Sequence, residues 1–337
     1  VPRFHPSPDT FLVEEIPAYL PSGAGGHTFV WIEKRGITTL DAVGELARRL
    51  GLSPRDLGYA GMKDRHSTAR QWLSLPGVTP EAALAGESGE SGGGGVRVLR
   101  AERHGHKLRV GHVAANRFEV VVGDVDGAAG LAALGEGLAR VAAAGLPNRY
   151  GEQRFGAAAD NAARGLALLR GERRERDRRL RRLLLSATQA AVFNEVLALR
   201  RAEGSLATVL AGDVLQRRDS GGVFVTTEPD LDQRRLDAGE LVITGPMPGG
   251  WAREPPPGTP ARAIEERALA AVGVSGAAFA ALGKDLPGTR RPLLTTVTLG
   301  TPPAEPGPDA GAARLRFTLP AGSYATVLLA EIGVTIG

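Results

Sequence analysis

Gly58-Tyr59-Ala60-Gly61-Met62-Lys63-Asp64-Arg65-His66-Ser67-Thr68-Ala69-Arg70-Gln71-Trp72-Leu73-Ser74-Leu75 sets one acid between a lysine and an arginine. A Gly-x-x-Gly backbone precedes the acid and a strand-like Gln-Trp-Leu-Ser-Leu run follows it. Flanking positive charge favours the ionised carboxylate of Asp64. A carboxylate at the mouth of a turn can act as a nucleophile or as a base. A bare Lys-Asp-Arg triplet is ordinarily a solvated charged turn; the longer string around it takes this one out of that class.

Outward from that turn, strand-like runs alternate with segments of helical spacing. His27-Thr-Phe-Val-Trp-Ile-Glu33 reads as a strand from its β-branched and aromatic content. Thr38-Thr39-Leu40-Asp41 then opens a helix whose apolar positions Leu40, Val43, Leu46, Ala47 and Leu50 keep a helical period, with Gly51 as its stop. Residues 71–75 and 96–101 are predicted strands joined by a long excursion. Its glycine-rich part, residues 86–95, lacks the Gly-Lys-Ser/Thr ending of a phosphate-cradling loop and reads as a mobile tip. Residues 117–122 give a further strand and 127–144 a helix. Residues 170–182 carry eight arginines among interleaved acids, a pattern in which a solvated helix face competes with phosphate contact. Ser186-Ala-Thr-Gln189 has capping-box spacing and is expected to open a helix that turns Val192, Phe193, Val196 and Leu197 towards a core. Proline and glycine mark 245–260 and 301–311 as loops. The last segment, from about residue 291, shows strand patterns at 293–299 and 314–319 and a short helix near 323–332. It is too short to bury a core of its own and must pack on earlier chain.

The pattern Gly-Tyr-Ala-Gly-x-Lys-Asp-Arg-His-x-x-x-x-Gln-Trp resembles the signature of the TruD family of tRNA pseudouridine synthases. Further segments resemble other parts of that family, in order. Phe11-Leu12-Val13-Glu14-Glu15, Pro21-Ser22-Gly23-x-Gly25-x-His27 and Glu33-Lys34-Arg35 precede the signature. Lys107-Leu108-Arg109-x-Gly111-His112, Asn116-Arg117-Phe118, Pro147-Asn148-Arg149-Tyr150-Gly151-Glu152-Gln153-Arg154-Phe155-Gly156 and Leu319-Pro320-Ala321-Gly322-Ser323-Tyr324-Ala325-Thr326 follow it. The resemblance implies an α+β fold. Its pseudouridine-synthase catalytic domain, residues 1–144 and 291–337, would have a largely antiparallel mixed sheet and be split by an inserted α/β domain at 145–290. It implies conversion of a uridine, uridine 13 in the D-arm, to pseudouridine, with Asp64 as the indispensable group. The carboxylate would attack either the uracil ring or the ribose anomeric carbon. Phe118 would stack on an extruded base, with Asn116 bonding nearby and Phe11 and Tyr324 lining the same pocket. For loss of the C5 proton, Asp64 itself, Glu14 and Glu15 are all candidates. Lys34, Lys63, Lys107 and Arg109 are expected phosphate contacts, with exposed ion pairing as the alternative. The expected partner is tRNA, bound by a monomer without cofactor, metal or membrane, in the cytoplasm.

Composition sets outer bounds. A chain of 337 residues, 42% hydrophobic and 23% charged, suits a globular protein of two domains. No apolar run reaches the span of a bilayer, the first residues do not begin a signal peptide, and a chain opening on Val rather than Met reads as trimmed or processed. With no cysteine, disulfides and thiolate metal sites are excluded. Net charge is +4 and the pI about 9.7. Lys34, Lys63, Lys107 and Lys284 are its lysines, leaving 37 of the 41 basic residues to arginine. Three of those lysines sit inside the motifs, which hints at a need for a compact ammonium. Two other readings fit parts of the sequence. One is a non-catalytic RNA-binding protein on the same scaffold. The other is a metal-dependent hydrolase using His104, His106 and His112, against which Lys107 and Arg109 would repel a cation and no nearby acid completes a ligand set.

Overall fold

Short β-branched and aromatic runs build an eight-stranded sheet in the first of two units, Val1–Ala144 with Thr296–Gly337. The computed structural model describes residues 1–85, 95–156 and 158–337; residues 86–94 of the glycine-rich tip lie outside the described residues. In chain order the strands are β1 (Phe11–Pro17), β2 (His27–Arg35), β3 (Gly58–Tyr59), β4 (Thr68–Pro76), β5 (Gly95–His104), β6 (Val113–Val122), β7 (Thr298–Pro306) and β8 (Ala313–Pro320). They lie in the order β7-β8-β6-β1-β4-β2-β5, with β3 beside β4. β1 and β4 run parallel and the other neighbours antiparallel. The fold is α+β with a mostly antiparallel mixed sheet, as the family resemblance implied.

The C-terminal piece finds its core by pairing β8 with β6, from Ala313 opposite Val122 to Pro320 opposite Ala115. Part of the segment read as a loop at 301–311 is strand, because β7 is an edge and its register with β8 breaks between Leu299 and Ala304, where Pro302 and Pro303 fall. The same correction applies to residues 245–247, which belong to the strand Leu241–Met247. Pro246 falls in its second half, where the register pairs it with Arg290 on one side.

Alternation gives the sheet two unlike faces. One carries Val13, Phe118, Phe317, Leu319, Ile32 and Val30, all buried. Over part of it lies α1 (Thr39–Arg49), packing Ala42, Val43, Leu46 and Ala47 on Val30, Ile32, Leu73, Val96 and Val98. Thr38 caps α1 reciprocally with Asp41: Thr38 Oγ1 accepts from Asp41 N at 3.1 Å and Asp41 Oδ2 from Thr38 N at 2.9 Å. The helix α2 (Gly127–Ala144) packs beside Ile332, which a Cβ at Gly137 would approach to 3.1 Å. The other face is a ladder of paired charges. Arg97, Glu33, Arg70, Glu14 and Arg117 link five strands, and Glu119 and Glu305 bind Arg314 and Arg316 beyond them.

The second unit, Gly145–Thr295, centres on a long helix, α3 (Arg178–Ala202). Val192, Phe193, Val196 and Leu197 of α3 meet Leu241, Ile243, Ile264 and Phe279 in one core. The expected helix start at Ser186 is corrected. Asp177 Oδ1 accepts from the amides of Arg179 and Leu180 at 2.8 and 3.2 Å, so the helix begins upstream and Ser186 donates back to Leu183 O. Residues 291–295, read from sequence with the C-terminal piece, fold with this unit: Leu293 N donates to Ile243 O and Leu294 pairs with Pro147.

Candidate active site

The turn between β3 and β4 is held from beneath by buried polar side chains. Lys34, with no exposed surface, projects from β2 opposite Ala69. The small side chain at Ala69 leaves it room to reach back under the turn. Its ammonium donates to Ile37 O at 2.7 Å and, through a short bond, to the backbone carbonyl of Asp64. Ser67 Oγ donates to the same carbonyl at 2.8 Å. Burial pushes Lys34 down to about 8, against the attraction of Asp64, which favours its charge. One residue earlier, Lys63 N donates to Thr39 Oγ1 at 2.8 Å, Thr39 Oγ1 donates to Gln71 Oε1 at 2.9 Å, and Gln71 Nε2 donates to Gly61 O at 3.1 Å. Asp64 Oδ1 accepts from His66 N at 3.0 Å, which sets the carboxylate's rotation.

The neighbours of Asp64 face different ways. Lys63 turns inward to Glu15 Oε2 at 2.8 Å, its side chain 6% exposed and that of Glu15 fully buried. A Cβ at Gly61 would come within 3.2 Å of this ammonium, a tight approach that the second glycine of the motif avoids. Desolvation raises the Glu15 carboxyl above the usual carboxylate range, opposed by Lys63. Arg65 turns outward to Asp41 at 3.3 Å. Glu14 points to the opposite face, to Arg117 at 2.8 Å and Arg70 at 3.7 Å.

Glu15 is also the register partner of Asn116, and Val13 that of Phe118. The Lys63–Glu15 pair thus ties the Asp64 turn to the β1–β6 pair that carries the Asn-Arg-Phe motif. Asn116 Oδ1 is buried and accepts no hydrogen bond from the described residues. Phe118, 6% exposed, lies between Phe11, with centroids 6.0 Å apart and planes at 10°, and Phe317, at 5.3 Å and 28°. Ala321 N donates to Ala114 O at 3.1 Å, which brings the Gly322–Tyr324 turn to the end of β6 where Asn116 stands. Tyr324 is half-buried and precedes the helix Ala325–Glu331.

The expected phosphate contacts divide. The Lys34 and Lys63 ammonium groups lie beneath the turn, a place no phosphate reaches without dismantling it. Lys107 is half-buried and donates to Arg55 O at 2.7 Å, while Arg109 is exposed. The histidines bond within an aromatic cluster: His104 Nε2 meets His106 Nε2 at 3.2 Å, the Tyr19 hydroxyl meets His112 Nδ1, and the Tyr19 ring stacks on His104 at 5.4 Å. Burial holds His104 and His27 below the ordinary histidine range. Among the described residues no group of three or more His, Asp or Glu is placed to hold a metal ion, nor is any helix long and apolar enough to cross a membrane. Sequence reasoning missed Ser67, Thr39 and Gln71, whose signal was being polar in positions that strand and helix patterning turns inward.

The family model of tRNA pseudouridine synthase D (TruD) matches residues 2–176 and 174–332. A protein of Anaeromyxobacter sp. (strain Fw109-5) named tRNA pseudouridine synthase D is 47% identical, over 97% of this chain and 90% of its own. One of the same name from Thermus thermophilus is 37% identical, over 96% of this chain and 86% of its own. A crystal structure from Methanosarcina mazei, described as TruD, superposes with a TM-score of 0.75 over 98% of this chain and 93% of its own, at 22% identity. That last likeness is one of fold.

Proposed function

The chain belongs to the tRNA pseudouridine synthase D (TruD) family, and from that premise we propose that it converts a uridine of tRNA, uridine 13 in the D-arm, to pseudouridine with Asp64 as the nucleophile. The first unit is the split catalytic domain and the second the inserted domain. The reaction breaks the bond from N1 of uracil to the ribose, turns the base, and joins C5 to the same ribose carbon. C5 loses a proton and N1 gains one, so nothing is oxidised or hydrolysed overall. The Asp64 carboxylate forms the transient bond, to the ribose carbon or to the uracil ring, and is released when the new carbon–carbon bond closes.

The observation that carries this reading is the way the turn is fastened. Lys34 and Ser67 hold the Asp64 carbonyl and His66 N holds its carboxylate, so the nucleophile is oriented before substrate arrives. Asn116 Oδ1, buried without a donor among the described residues, suits a polar N–H or O–H of the extruded nucleotide. Phe11, Phe118 and Tyr324 supply the aromatic lining, and Arg109, with Lys107, the contacts to backbone phosphate. For the C5 proton the geometry favours Asp64 itself. Glu15 is committed to Lys63 and Glu14 to the arginines of the far face.

The test is tritium release from tRNA labelled at C5 of uridine, with the modified position mapped in the same RNA. Wild type should release label at uridine 13 and Asp64→Ala none, while tRNA binding stays within about twofold because the substitution removes no phosphate contact. Release by Asp64→Ala at the normal rate would sink the nucleophile assignment. Release from another site would sink the D-arm assignment alone.

A further inference from the structure

A cavity of about 530 Å³ opens in the second unit between the start of α3 and the segment Leu286–Thr289. Arg154, Arg179 and Arg182 stand around it, over a floor that includes Leu183, Met247 and Leu286. Many arginines of this chain are paired with acids, as Arg164 is with Asp160 and Arg262 with Glu254 and Glu266. These three are not: among the described residues no carboxylate lies within ion-pairing distance of any of them, and Arg154 Nε is buried with no acceptor. The guanidinium of Arg154 rests over the Tyr150 ring, 5.4 Å from its centroid, which steadies it at the cavity wall. The helix amides are not the attraction, since Asp177 already takes those of Arg179 and Leu180. Beside the cavity, Gly250 N and Trp251 N donate to Leu286 O and Pro287 O at 2.9 and 2.8 Å, and Trp251 is 70% exposed.

We propose that this face of the second unit is an RNA-binding site, in which the three arginines hold phosphodiesters and Trp251 stacks on a base of the same unpaired stretch. Three cations without carboxylate partners that converge on one cavity suit an anionic ligand there. The planar guanidinium fork matches phosphate oxygens in two-point contact. A large exposed aromatic on the adjoining turn is the stacking platform that single-stranded RNA uses, whatever the base. An apolar floor in a space of this size accepts a sugar or base as well as the phosphate. The proposal rests on RNA being the substrate, and it adds a contact far along the chain from the Asp64 turn.

The experiment measures affinity for unmodified tRNA across a salt series, with two test variants and one control. Arg179 and Arg182 are both exposed, so R179E/R182E changes surface charge alone; the control R173E/R174E makes the same charge change at exposed residues outside the cavity. R179E/R182E should weaken binding by about tenfold or more and lower the salt slope by about 1 to 2, one for each lost phosphate contact. The control should lose less than about threefold, through the general field only. Trp251→Ala should weaken binding several-fold with the salt slope unchanged, because stacking displaces no counterion. Single-turnover isomerisation at saturating tRNA should match wild type in the control. Equal losses in R179E/R182E and the control, or wild-type affinity in Trp251→Ala, would overturn the site as described. Failure of wild type itself to release label would instead remove the proposed activity, and the binding comparison would still decide the cavity.

Discussion

Replacing Lys34 by methionine separates the clasp seen beneath the Asp64 turn from the phosphate contact expected of that lysine. Methionine keeps the length and apolar stem and removes the donor to Asp64 O and Ile37 O. Losing these two charged hydrogen bonds in the interior costs about 3–6 kcal/mol, at about 1.5–3 each. Against this, the fold holds the Lys34 ammonium at a pKa of about 8 rather than 10.5, a net cost of the charged form of about 3 kcal/mol that disappears with the charge. The second offsets much of the first, so global stability of Lys34→Met in urea should stay within about 3 kcal/mol of wild type. The turn, however, is left with Ser67 alone on the Asp64 carbonyl. A loosened nucleophile should lower the single-turnover rate by about 10- to 100-fold, with tRNA affinity and its salt slope unchanged. A phosphate contact would give the reverse, weaker binding with the chemical rate preserved.

The same lysine makes a pH prediction with a definite sign. As pH rises through about 8, Lys34 loses its charge and the bond to Asp64 O weakens, since charge-assisted bonds are about twice as strong as neutral ones. Wild-type single-turnover rate should therefore fall above about pH 8, while Lys34→Met, slow throughout, shows no such limb. Stability moves the other way. The folded pKa lies below that of an unfolded lysine, so between about pH 8 and 10.5 the unfolded chain binds the extra proton. Wild type should gain stability across that window, and Lys34→Met should lack that contribution. Superimposable pH–rate profiles for the two proteins, or a wild-type rate for Lys34→Met, would refute the clasp.

Two further outcomes follow from named contacts. Glu15→Gln leaves the Lys63 ammonium buried without its carboxylate and should cost about 3–5 kcal/mol in chemical denaturation, part of which the double variant Glu15→Gln/Lys63→Met should restore. Asp177→Ala removes the acceptor for two amides at the start of α3 and should cost about 1 kcal/mol, read as a lowered unfolding midpoint with isomerisation intact.

The sequence disclosed local elements well where periodicity and punctuation agreed. β2, α1 and α2 fall where β-branched runs, the Thr38 cap and the 127–144 pattern put them. It failed where a local signal had a stronger rival nearby. Asp177, inside the arginine-rich run, outcompetes Ser186 as a cap because it accepts two amides at once. Proline at 302, 303 and 306 signals a loop to any local reading, yet an edge strand tolerates it, and the register with β8 breaks where Pro302 and Pro303 fall. Whether a strand is an edge depends on which distant segment pairs beside it, and that is not a local property.

The lysines carry this lesson to the site itself. In a chain that otherwise uses arginine, Lys34, Lys63 and Lys107 were legible as positions requiring a compact ammonium, and in the structure each ammonium meets a backbone carbonyl or a buried carboxylate. A guanidinium carries five donors in a rigid plane and could not satisfy them in the space beneath the turn. What the sequence could not supply was direction. Lys34 reaches Asp64 because β2 and β4 pair antiparallel with Lys34 opposite Ala69, and a register one residue different would turn it to the opposite face of the sheet. Residue type therefore announced a demanding site, while long-range strand pairing decided that the Lys34 ammonium meets the backbone of the Asp64 turn.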